Sequence, residues 1–117
     1  MHRGIKKLIG LLRLEFDDME EDLRLMEEIA LDRYKRAEIT EYVLKENNAL
    51  FESEIRGIQS MARLLDDPRW EGFDDEQIML EQFDQAVRKY ISDYLLPPAI
   101  HGLLSRKMTK VRQFVCE

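Results

Sequence analysis

Residues 5–65 read IKKLIGLLRLEFDDMEEDLRLMEEIALDRYKRAEITEYVLKENNALFESEIRGIQSMARLL. Counting by seven from Ile9 lands on Phe16, Leu23, Ala30, Ala37, Leu44, Phe51, Ile58 and Leu65, so all nine positions are apolar. In a chain that is 44% hydrophobic, chance produces such a column with a probability of roughly 0.0006, or about 0.004 over seven registers, which makes helical periodicity the reading. Between Gly10 and Pro68 the only Gly or Pro is Gly57, so hairpins of strands lack their turn residues.

The companion column three residues on starts apolar with Leu12, Met19 and Met26, then turns polar at Arg33, Thr40, Asn47 and Glu54 before Met61. Val43, Leu50 and Leu64 flank the main column on one side, Ile55 and Ala62 on the other. The stripe therefore widens and rotates, which implies two packing environments. A helical region over 5–66 is expected, in one of two forms. Unbroken, it is a rod of about 90 Å at 1.5 Å per residue, favoured by the preserved heptad phase. Broken near 33–36 or 46–48, it is a hairpin within a four-helix bundle, favoured by the usual helix length of about three turns.

Pro68 ends this region, because it disfavours helical geometry at Asp67 and lacks the amide donor. A loop over 67–74 follows. Asp74, three residues before Gln77, has capping-box spacing, and Ile78, Phe83, Ala86, Val87, Tyr90, Ile91 and Tyr94 recur at helical intervals up to Pro97 and Pro98. A helix over 75–96 is expected, then another over 98–115 with Pro98 at its first position. The expected fold is all-α: one domain over 1–117, an antiparallel helical bundle with a long N-terminal helical region and two shorter C-terminal helices.

The 117 residues carry 18 Lys and Arg against 24 Asp and Glu, a formal charge of -6, and 36% are charged. This composition argues against disorder and against wholesale membrane insertion. Arg13 and Glu15 interrupt the N-terminal apolar run too early for a signal peptide, and no stretch approaches the 18 apolar residues of a membrane span. The single Cys116 forms no internal disulfide, which favours a reducing, cytoplasmic setting.

Chemistry-bearing patterns are sparse. His2 and His101 are far apart in sequence, and neither has Glu three residues before it, as a helical di-iron site needs. His101 reads as a helix-boundary residue. Ser53, Ser60, Ser92 and Ser105 lie outside any Gly-x-Ser-x-Gly elbow, and the scattered glycines make no phosphate cradle. The Asp66, Asp67, Asp74, Asp75 loop puts Pro68 and Trp70 where calcium ligands belong. No catalytic, cofactor-binding or metal-ligating residue is nominated, and the chain is expected to be nonenzymatic and without cofactor.

Charge alternates along the chain. Residues 1–13 carry Arg3, Lys6, Lys7 and Arg13 with no acid; residues 15–28 carry eight acids against Arg24; residues 100–117 return to plus 3 through Arg106, Lys107, Lys110 and Arg112 against Glu117. A basic C-terminal helix lying along an acidic segment explains this simply, with modest screened attraction. Lys6 and Lys7 beside Leu8, Ile9 and Leu12 also have the form of a peripheral membrane contact. Four basic groups on an acidic chain make a poor nucleic-acid footprint.

Trp70 and Phe73 are the side chains nominated for partner binding, the competing reading being a plug for the end of the bundle. If the first helix is continuous, the roughly 40 residues after Asp74 cover only part of it. Leu12, Phe16, Met19, Leu23 and Met26 would then need a second copy, so a homodimer or other homo-oligomer through these residues is expected.

The long helical series from Leu23 to Leu65, followed by shorter helices, resembles flagellar-type export chaperones over about a third of the chain, in pattern and without a family motif. The functional expectation is a helical protein-interaction module, an adaptor or regulator. The alternative is a secretion or assembly chaperone that shields an amphipathic client helix.

Overall fold

The computed structural model describes residues 3–94, 96 and 99–116, with side chains for 4–94, 96 and 100–113. Helix α1 spans Arg3–Lys35, α2 Glu41–Leu64, α3 Glu76–Asp93 and α4 Ala99–Cys116; a 3-10 turn covers Pro68–Gly72, and no strand occurs among the described residues. The all-helical expectation holds. Roles assigned to His2, to the Pro97 and Pro98 stop and to Glu117 fall outside the described residues, and the side chain of Cys116 does too.

The helical region 5–66 is not one rod. It breaks at 36–40, overlapping the first of the two expected places at Arg36 and away from 46–48. Ala37 adopts a left-handed backbone, φ 61°, its N–H donates to the Tyr34 carbonyl at 3.0 Å, and the Glu38 N–H donates to the Arg33 carbonyl at 2.9 Å. This pair of bonds is a Schellman ending, completed without the usual glycine. An Arg33–Glu38 ion pair at 3.5 Å spans the same turn. Thr40 then restarts the helix, its Oγ1 accepting the Val43 N–H at 3.2 Å. A Thr cap with Glu41 behind it was legible as a helix start; the stop was hidden because Ala is the best helix former.

Heptad phase nonetheless survives the break. Ile9, Phe16, Leu23 and Ala30 are buried on α1, Leu44 and Ile58 are buried and Phe51 half-buried on α2, Leu65 is buried at the cap that ends it, and only Ala37 lies in the exposed turn. Polar pairs cross between the helices at matching intervals. Arg13 bonds Asp66, and the Gln59 side chain donates to Glu20 at 3.1 Å. Each step of seven up α1 is a step of seven down α2, as expected when a heptad stripe folds back on itself. The phase that argued for continuity is equally the signature of two facing stripes that share one repeat.

Asp75, rather than Asp74, caps α3, accepting the Ile78 N–H at 3.0 Å. Helix α3 ends at Asp93, short of the expected 96; α4 is described from Ala99, and the expected first position at Pro98 lies outside the described residues. Asp67 caps the 3-10 turn by accepting the Arg69 N–H at 2.9 Å. This turn folds Trp70 inward, 1% exposed, with its indole N–H donating to the Leu64 carbonyl at 2.7 Å.

One core joins all four helices. Ile5, Leu8, Leu12, Phe16, Met19 and Leu23 of α1 are buried with Ile55, Ile58 and Met61 of α2, Met79, Phe83 and Val87 of α3, and Ile100, Leu104 and Met108 of α4. Phe83 meets Phe16 edge-on at 6.3 Å and Trp70 edge-on at 5.2 Å. This burial also withdraws Leu8, Ile9 and Leu12 from the membrane contact expected beside Lys6 and Lys7, since the apolar half of that segment is inside the protein. No helix among the described residues is long and apolar enough to cross a membrane.

Lengths are unequal. At 1.5 Å per residue α1 is about 50 Å long, whereas α3 and α4 are about 27 Å each. Burial on α1 stops after Leu23 except at Ala30, and on α2 the only buried side chain before Ile55 is Leu44. The far ends of α1 and α2 extend past the other two helices, in keeping with a molecule measuring 56 × 29 × 18 Å.

Candidate functional site

Three places bring functional side chains together, and the first has the residues of a hydrolase. His101 of α4 lies 2.9 Å from Asp84 Oδ1 and 3.3 Å from Ser105 Oγ. Both contacts fall on Nε2, so the carboxylate and the hydroxyl compete for one nitrogen. A relay needs them on opposite nitrogens. Arg88 further engages the same carboxylate at 2.9 Å. The cluster ties α3 to α4, consistent with the reading of His101 as a boundary residue.

The second place is the Trp70 turn. Phe73 stacks on Trp70 at 5.9 Å, and the Arg69 guanidinium covers the indole at 4.2 Å. Beside them lies an open groove of about 410 Å³ whose wall includes Phe73, Gln82, Gln85, Lys89 and Tyr90. Of the two residues nominated for partner binding, the structure brings both to this groove but buries Trp70. Its aromatic surface is already engaged by Phe83, Phe73 and Arg69, which is the arrangement of a plug.

The third place is the overhanging hairpin. Leu12, Phe16, Met19 and Leu23, nominated as an oligomer interface, are covered by the chain itself. The break at 36–40 brings α2 back alongside α1, supplying the cover that a continuous rod would have sought from a second copy. Met26, 49% exposed, is the one member of that set left at the surface.

Met26 has company. Ile29 is 49% exposed and Leu50 is 50% exposed, with Val43 also exposed and Phe51 and Asn47 half-buried. Heptad steps relate these residues to the covered core: Met26 follows Met19, and Leu50 and Val43 precede Gly57, the glycine that Ile100 of α4 abuts. Their register places them along the seam between α1 and α2, an apolar furrow in line with the strip that α4 covers. Val43 and Leu50 stood out in the sequence as flanking residues. Ile29 did not, because it precedes the main column by one position and follows Asp22 by seven.

Electrostatics differ between the covered and uncovered parts. Under α4, Glu15 is 13% exposed and receives Lys107 at 3.2 Å and Lys110 at 3.0 Å. Burial pushes its carboxyl up, but hydrogen bonds from Lys110 and Lys107 and their charges outweigh this and hold it below the usual range. These contacts realise the expected attraction between the basic C-terminal helix and the acidic segment. Toward the hairpin end Glu38 pairs with Arg33 and Glu41 with Lys45, whereas Glu54 and Glu27 shift the other way. Desolvation raises Glu54, and Glu27 is raised by its hydrogen bond with Glu52, by desolvation and by repulsion from the same group. No family model matches the chain, and comparison with curated proteins and with solved structures produces no match.

Proposed function

We propose that this chain is a nonenzymatic protein-interaction module, an adaptor or regulator, that works through the apolar furrow at the end of its α1–α2 hairpin. The fold behind the furrow is inferred to be an antiparallel four-helix bundle, with α1 and α2 overhanging α3 and α4. One observation carries the reading: Met26, Ile29, Val43 and Leu50 leave apolar surface exposed in continuity with the core. Contiguous exposed apolar surface on a heavily charged protein is characteristic of an interaction site. The Trp70 groove ranks second, because its largest aromatic is already used internally.

The furrow also suits the chaperone alternative, since an apolar channel between two helices is the shape that receives an amphipathic helix. Both versions depend on the same residues and are tested together. Wild-type protein and an Ile29→Asp/Leu50→Asp variant serve as matched baits, after circular dichroism establishes that both fold. Loss of specific partners by the variant supports the furrow. Identical recovery by the two baits overturns it.

A further inference from the structure

The furrow has an occupant along its inner half. Helix α4 seats Ile100, Leu104, Met108 and Val111, all buried. Its Lys107 and Lys110 close on Glu15 of α1. Where α4 begins, Ile100 lies against Gly57 of α2. Beyond that contact the same strip continues through Ile29 and Leu50, both about half exposed and with none of the described helices over them.

The flanking charge continues as well. Asp22 is one heptad beyond Glu15, while Glu54 and Glu46 lie on the α2 side. Among the described residues none of these three acids has an ion pair or hydrogen bond to a cation. Residues 22–57 contain nine acidic and six basic side chains, half of the chain's net charge of -6. Two copies meeting at this end would bring like charges together, whereas a basic partner would be attracted.

We infer that the outer furrow binds a basic amphipathic helix of a protein partner, about 14 residues long, seated as a continuation of α4 with leucine-like side chains toward Ile29 and Leu50 and Lys or Arg toward Asp22, Glu46 and Glu54. This rests on the reading of the hairpin as an interaction surface and adds the chemistry of what it holds. The molecule already uses this mode of recognition once, between its own α4 and α1.

The test uses the full chain and two fluorescein-labelled 16-residue helical peptides with the same leucine face, one flanked by Lys and the other by Glu. Fluorescence anisotropy at about 0.15 M salt, where surface attraction is screened beyond about 8 Å, should show the Lys peptide binding at least about tenfold more tightly, a difference that corresponds to about 1.4 kcal/mol. Ile29→Asp/Leu50→Asp should weaken the Lys peptide by a similar factor, although it makes the protein more acidic. Equal binding of both peptides, lost in the variant, keeps the furrow but overturns its preference for a basic helix. A Lys peptide that binds the variant as well as wild type, or no binding by either peptide, overturns this inference. A concentration-dependent dimer in sedimentation that the variant abolishes makes the occupant a second copy and also overturns it.

Discussion

Gly57, in the middle of α2, lies directly against the Cδ1 of Ile100 at the start of α4, so that a β-carbon on the glycine would occupy the space of that methyl. A glycine inside a helix costs about 1 kcal/mol relative to alanine. Here its missing side chain lets α4 approach. Gly57→Ala should lower stability by about 1–2 kcal/mol, overpacking outweighing the gain in helix propensity. Ile100→Val removes the offending methyl and should restore most of the loss in the double variant, despite costing about 1 kcal/mol alone. Urea denaturation of the four proteins measures the coupling; additive effects would show that this contact does not set the approach of α4.

Ala37 holds a left-handed backbone that favours glycine. Ala37→Gly should stabilise the protein by roughly 0.5–1 kcal/mol, the strain relieved exceeding the entropy added to the unfolded chain. Thermal denaturation should show an increase of a few degrees. A decrease would mean that the turn does not strain the alanine.

Trp70→Ala should cost about 3–5 kcal/mol, because it opens a cavity against Phe83 and removes the donor to the Leu64 carbonyl. Phe73→Ala, at a half-buried ring, should cost distinctly less. Chemical denaturation of both variants gives the comparison, and a small Trp70 effect would contradict its role as a plug.

Two carboxylates should give stability changes of opposite sign with pH. Glu15 is held below its ordinary range in the fold, so its contribution is present above the unfolded-state pKa and is lost as pH falls through the folded value. Glu15→Gln should therefore destabilise at pH 7, on the order of 1 kcal/mol for such an ion pair, and the difference should vanish toward pH 3. Glu54 is raised, so the wild type is penalised once its pH rises through the folded value. Glu54→Gln should be stabilising at pH 7, with the gain disappearing below the unfolded pKa. Urea midpoints from pH 7 to pH 3 measure both trends; the same sign for the two variants would refute the assignment.

Local signals in the sequence were sufficient for the helices themselves. The heptad column selected the buried faces of α1 and α2, Pro68 ended the long helical region, and capping-box spacing marked the start of α3 to within one residue, at Asp74 where Asp75 is the cap. Those features depend on interactions within a few residues and on a periodicity that one chain carries alone. They left the rod and the hairpin equally matched, because facing stripes and a continuous stripe have the same repeat. The tertiary structure decided between them by folding α2 onto α1 through a left-handed alanine with no sequence mark. It also decided which apolar residues remain exposed. Met19 and Met26 are equivalent in the heptad, yet α3 and α4 are too short to cover both, so one lies in the core and the other opens the furrow. Exposure depends on where a second helix ends in space, a distance that no pattern along the first helix contains.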